Sequence, residues 1–282
     1  MKTPGSLSRL SFVAPARGKL SLSGWWPVIR FGLFTVLFSL VFTVVALPFL
    51  GLSWWKIFRR CASIAAGLSL WVCICRLDRR SIRSYGLSGW KTGMVEFAFG
   101  VLLGLATLAI MLAIGLATGA CSIRVTDDAM RLWRLLALSL PLMAAVSVLE
   151  ELVFRGIILQ PLLSWSRAGA VAVSSGLYAV VHLKSPEFIL LTWLELIGLW
   201  VLGAVLALSY LRTGRLYLAI GLHAALAYGA RINKLLVEFT DVSMAWLVGT
   251  SRLVNGLAGW VALASVGAVI WWAGSKLFKE VE

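Results

Sequence analysis

The chain has 282 residues, 60% of them hydrophobic and only 13% charged. Soluble domains carry about 45–50% apolar and about 25% charged residues, so the composition excludes an ordinary water-soluble enzyme and points to a polytopic helical membrane protein. The net charge of +14 is not a nucleic-acid signal, because the basic residues fall in short connections between apolar runs, where they obey the positive-inside rule and meet anionic headgroups.

Residues 1–27 are basic and rich in Ser, Gly and Pro, and read as a flexible N-terminal tail. The rest, 28–282, reads as a single membrane domain. The run from Phe31 to Leu52 is too long for a signal h-region and reads as a retained span. A span needs about 20 mainly apolar residues. By that measure the fold class is an all-α bundle of about eight transmembrane helices, roughly at 28–52, 60–77, 94–118, 135–161, 166–183, 187–210, 215–232 and 256–276.

Trp25-Trp26, Trp54-Trp55, Trp90 and Trp271-Trp272 lie near segment ends, as interfacial belts do. Lys56, Arg59 and Arg60 follow the first span and conflict with a simple charge rule, unless that stretch lies along the interface as an amphipathic helix. The arginine-dense connection from Arg76 to Lys91 and the basic tail share one side if two spans separate them, which places the N-terminus in the cytoplasm. Gly100, Gly104 and Gly115, and later Gly198 and Gly203, are small residues that allow close helix approach. Cys61, Cys73, Cys75 and Cys121 show neither metal spacing nor a disulfide framework, and read as packing residues. Thr126-Asp127-Asp128 precedes the fourth span as a cap, and Val237 to Leu253 is a sizeable connection before the last.

The fourth span carries Leu149-Glu150-Glu151-Leu152-Val153-Phe154-Arg155. Ionisable residues inside a membrane are expensive and mark function by default. On a helix Glu151 and Arg155 share a face and can neutralise one another. Glu150 lies about 100° round the helix and cannot share that arginine so directly. It is left in a poorly solvated place, as suits a general base at neutral pH. The chain's two histidines follow: His182 ends the fifth span, one turn after Tyr178, and His223 lies inside the seventh with no local polar partner. The competing account is a structural polar network between helices. The convergence of two carboxylates, an arginine and both histidines on apolar segments favours one buried polar site.

These residues carry a resemblance. Glu150-Glu151-x-x-x-Arg155 matches the EExxxR motif of the CAAX-protease and bacteriocin-processing (Abi) family of intramembrane proteases. Tyr178-x-x-x-His182 resembles its FxxxH motif, with Tyr for Phe, and His223-x-x-x-Ala227 its HxxxN motif, with Ala for Asn. Tyr85-Gly86-Leu87 and Arg212-Thr213-Gly214-Arg215-Leu216 look like the family's lead-in segments, so the resemblance covers about 85–232. It implies an intramembrane endopeptidase acting on a membrane-anchored protein or peptide. Glu150 and His182 would activate water, His223 would stabilise the oxyanion, and Glu151 with Arg155 would hold the charge state. Ala227 cannot supply the side-chain hydrogen bond that Asn gives in the family, and Asn233, ten residues past His223, is a poor substitute.

Two chemistries fit that set: a metal-free, glutamate-activated water, which is preferred, or Zn²⁺ held by Glu150, His182 and His223, a two-His, one-carboxylate set that lacks the HExxH spacing of soluble zincins. The alternative class is a non-catalytic immunity or assembly factor that keeps the fold. A transporter would show Gly/Pro-interrupted helices in matching halves; Glu195 in the sixth span is the one charge it explains better. A prenylated C-terminal motif, a secreted-peptide leader and a membrane-sorting tail are the candidate substrates, the prenylated one least favoured. The expected location is the bacterial inner membrane.

Overall fold

The computed structural model describes residues 22–182, 190–250 and 253–277. Helix α1 (Leu22–Leu50) pairs with α2 (Trp54–Trp71), which runs on as a π-helical stretch, Val72–Leu77. A 3₁₀ turn (Ile82–Tyr85) leads into α3 (Trp90–Ala117), and α4 (Ala129–Glu151) continues through π-helical Leu152–Leu159 into the short α5 (Gln160–Leu162). Then come α6 (Arg167–Val181), α7 (Leu190–Thr213), α8 (Tyr217–Leu236), the short α9 (Ala245–Val248) and α10 (Leu257–Leu277).

Each expected span falls on a helix, but only five described segments are long and apolar enough to cross a membrane: Trp25–Leu50, Trp54–Leu77, Trp90–Ala117, Ala129–Leu162 and Leu190–Thr213. Arg167–Val181 and Leu257–Ala273 are shorter apolar helices. Helix α8 is outside the five because His223, Arg231, Asn233 and Lys234 lower its hydropathy. It tolerates them because it is the innermost helix, with Tyr217 through Leu226 all buried. The outward surface is apolar, with Leu33, Val36, Val44, Phe49, Leu102 and Trp272 exposed, as a lipid-facing surface must be.

Three local expectations change. Helix begins at Leu22, so residues 22–27 are helical rather than part of a tail. Lys56, Arg59 and Arg60 belong to the second span's own helix instead of a separate interfacial one. The chain is also not purely helical: β1 (Cys121–Ile123) pairs antiparallel with β2 (Val237–Phe239), Ser122 opposite Glu238. Chain leaving the ends of α3 and α8 has exposed backbone groups, and pairing the two exits satisfies both. Arg124 and Glu238 join across the ribbon at 3.0 Å. The Asp128 side chain caps α4 by accepting from the Arg131 N–H at 2.8 Å.

Close approach of α3 and α8 fixes the centre. A Cβ on Gly100 would strike the Leu218 carbonyl, and one on Gly221 the Phe97 carbonyl, so each helix needs glycine where the other's backbone touches it. The two lead-in segments lock onto one another at the bundle end. The Leu216 N–H donates to the Gly86 carbonyl at 2.9 Å and the Tyr217 hydroxyl to the Leu87 carbonyl at 3.0 Å. Arg215 donates to the buried Glu96 carboxylate from Nε at 2.8 Å and Nη2 at 2.6 Å. Gly86, at φ 104°, makes the turn that a side chain would strain.

Candidate active site

Four helical segments meet at one polar cluster. Glu150 and Glu151 end α4, and Arg155 lies in the π-helical stretch, all eight of whose residues are buried. A π turn holds one more residue than an α turn and frees backbone groups, and such turns recur at functional sites. Here the Phe154 carbonyl accepts from the Ser174 hydroxyl at 3.0 Å, which ties α6 to this stretch. Tyr178 and His182 arrive at the C-terminal end of α6, and His223 from the middle of α8.

The inner half is a sealed charge network. Glu151 and Arg155 are both 0% exposed, with Arg155 Nη1 donating to Glu151 Oε1 at 3.1 Å. Arg155 Nη2 donates to the Gly203 carbonyl of α7 at 2.9 Å. His223 Nδ1 lies 2.8 Å from the same Glu151 oxygen. An ionised carboxylate only accepts, so Nδ1 carries the hydrogen. The remaining nitrogen, Nε2, faces the Tyr178 hydroxyl at 3.4 Å.

The outer half is partly exposed. The Glu150 and His182 side chains are 23% and 29% exposed, against 6% for His223. Glu150 Oε2 lies 3.2 Å from His182 Nε2 and 3.6 Å from His223 Nε2. It is buried and, among the described residues, has no aligned hydrogen-bond partner. His182 Nδ1 sits 2.8 Å from the Tyr178 carbonyl, which can only accept, so in the neutral ring Nε2 presents a lone pair towards Glu150. Two acceptors face each other there, an arrangement that needs a shared proton or a bridging water. The Tyr178 ring packs on His182 with centroids 4.3 Å apart and lies 5.1 Å from the Arg155 guanidinium carbon.

All five residues expected at the site therefore come together: Glu150, Glu151, Arg155, His182 and His223. The zinc alternative on Glu150, His182 and His223 meets a difficulty. Among the described residues no group of three or more His, Cys, Asp or Glu side chains is arranged to hold a metal ion. Glu195 is buried on α7, and Lys184-Ser185-Pro186, beside His182, lie outside the described residues. Sequence reasoning passed over two participants. The sequence places Tyr178 one turn before His182, where its ring can pack the imidazole and its hydroxyl can hydrogen-bond nearby, but leaves no sign that the hydroxyl meets His223, 45 residues on. The Gly203 carbonyl left no signal beyond a small residue on a neighbouring helix.

Residues 132–228 match the family model described as Rce1-like, type II CAAX prenyl endopeptidase. That is a family of proteases, and the matched stretch runs from α4 into α8, with every residue of the cluster inside it. No curated protein matches the chain.

Proposed function

We propose that the protein is an intramembrane endopeptidase that hydrolyses a peptide bond of a membrane-associated protein or peptide, within one membrane domain whose N-terminus faces the cytoplasm of a bacterium. The observation that carries this reading is the buried Glu150 oxygen between two histidine nitrogens, 3.2 Å from His182 Nε2 and 3.6 Å from His223 Nε2. Glu150 accepts a proton from a water held between it and His182, and the resulting hydroxide attacks the scissile carbonyl. His223, fixed by Glu151, helps stabilise the oxyanion. Glu151 and Arg155 hold the helix and the charge state of Glu150. The proton on Glu150 then passes to the leaving amine, which restores the carboxylate. The family match supports peptidase chemistry in general, and no step here runs through a metal.

The test is cleavage in detergent of two quenched-fluorescence reporters, a transmembrane peptide and a peptide ending in a farnesylated CAAX sequence. Removing a general base costs about 10²–10⁴ in rate, so Glu150→Gln and His223→Ala lose turnover while a strong chelator leaves the parent's rate unchanged. Chelator inactivation reversed by Zn²⁺ would replace the glutamate chemistry with a metal. Ala227 favours one competing reading, an immunity or assembly factor that keeps the fold. On that account the cellular role of the parent survives Glu150→Ala.

A further inference from the structure

The oxyanion needs a hydrogen-bond donor, and the resting geometry leaves His223 without one. Its Nδ1–H is committed to Glu151, so Nε2 of the neutral ring has only a lone pair. Ala227, one helical turn on, carries no donor either. Glu150 and Glu151 are acceptors. The Arg155 Nη1 and Nη2 groups are engaged by Glu151 and by the Gly203 carbonyl, while its Nε is buried without a partner among the described residues. The O–H that lies directly against His223 is the Tyr178 hydroxyl, 3.4 Å from Nε2 on a side chain 2% exposed.

We infer that Tyr178 is a catalytic residue of the proposed peptidase, its hydroxyl donating a hydrogen bond to the tetrahedral oxyanion beside His223. The inference rests on the endopeptidase reading and adds to it the group that holds the developing charge. The present Tyr178–His223 contact is at the long end of the hydrogen-bond range, so exchanging it for an anionic acceptor costs little and gains a charge-assisted bond. The ring cannot swing away. It packs against His182 at an interplanar angle of 36°, meets Phe154 edge-on with centroids 5.1 Å apart, and lies over Arg155. A donor fixed before the reaction costs no reorganisation when charge develops. When His223 is protonated, its Nε2–H donates to the tyrosine oxygen while the tyrosine O–H donates to the oxyanion, a two-bond relay in which each bond polarises the next.

The test is Tyr178→Phe, which keeps the ring and its packing, measured beside the parent and Glu150→Gln on the two reporters. Two inhibitors built on the cleaved sequence are added, a tetrahedral phosphinate and a ketomethylene isostere. Loss of one oxyanion donor costs about 10²–10³ in kcat. Tyr178→Phe is therefore expected to lose that factor in kcat with KM unchanged. It should lose a similar factor in phosphinate affinity and nothing in ketomethylene affinity. A variant that had merely misfolded would lose both affinities. Unchanged kcat and phosphinate affinity, with Glu150→Gln inactive, would overturn the role of Tyr178 and leave the peptidase reading standing. A rise in KM alone would make Tyr178 a binding residue and overturn its catalytic role. If neither parent nor Glu150→Gln cuts either reporter, the peptidase reading falls and this inference falls with it.

Discussion

Glu151→Gln tests the sealed half of the site most directly. Glu151 and Arg155 are both 0% exposed, and the Glu151 oxygen that accepts from Arg155 also accepts from His223. Neutralising Glu151 leaves a guanidinium with no counter-charge in a place that water cannot reach. Breaking a buried pair by removing one partner costs about 3–5 kcal/mol. Arg155→Met strands the opposite charge and should cost a similar amount. The double variant Glu151→Gln/Arg155→Met removes both charges, and apolar replacement of a whole buried pair is often close to neutral. The expected result is therefore strong coupling, with the double variant more stable than either single one. The assay is reversible unfolding in mixed micelles for the parent and the three variants. Independent sites add to within about 0.3–0.5 kcal/mol. Additivity at that level, or single costs under about 1 kcal/mol, would show that this network does not hold the bundle together.

Three further outcomes follow from other parts of the molecule. Gly221→Ala should destabilise by about 1–3 kcal/mol, because its methyl meets the Phe97 carbonyl and forces α3 from α8. Gly176→Ala, with nothing within 4 Å, should be neutral or gain up to about 1 kcal/mol of helix propensity; thermal unfolding of the pair decides whether close approach or glycine content is the cause. Arg215→Met should cost about 3–5 kcal/mol, since it strands the fully buried Glu96 carboxylate, and Glu96→Gln in the same background should recover most of it. At Asp241 the Ser243 N–H and O–H donate at 2.8 and 2.6 Å and hold the carboxyl below its ordinary range. A depressed folded value means that this turn is favoured above the unfolded carboxyl pKa of about 3.9 and loses that contribution as pH falls through the folded value. An NMR titration should find the midpoint below the ordinary one and returning towards it in Ser243→Ala; an unmoved midpoint would refute the assigned cause.

The sequence carried the site better than the architecture, for reasons visible in single residues. A charge in an apolar run is conspicuous because its cost is local, so Glu150, Arg155 and His223 stood out one by one. The i,i+4 relation of Glu151 to Arg155 is likewise local, and the ion pair at 3.1 Å realises it. The β1–β2 ribbon was hidden because its two three-residue strands lie more than a hundred residues apart and each is too short for a period-2 pattern. The π-helical turn after Glu151 was hidden because apolar periodicity does not distinguish four residues per turn from five over one turn. Helix α8 falls short of the hydropathy of the long apolar helices for a tertiary reason. The helix that holds His223 is shielded from lipid by its neighbours, and so does not need the hydropathy that membrane contact imposes.

Burial explains why two adjacent carboxylates take different parts. Glu151 sits where no water enters, and a carboxylate there persists as a charge only because Arg155 and His223 face it. Its part is to hold Arg155 and His223 in place, since both contact the same Glu151 oxygen. Glu150, one residue back and about 100° round the helix, reaches the rim where its side chain and that of His182 are 23% and 29% exposed. At that rim the nearest groups are imidazole nitrogens rather than a fixed cation. Protonating Glu150 therefore strands no buried charge. Exchange of the two environments would leave a base with no access to water and an ion pair lost to solvent screening. Their order along α4, with the open carboxylate first and the arginine one turn beyond the sealed one, is thus what the proposed hydrolytic site asks of a single helix.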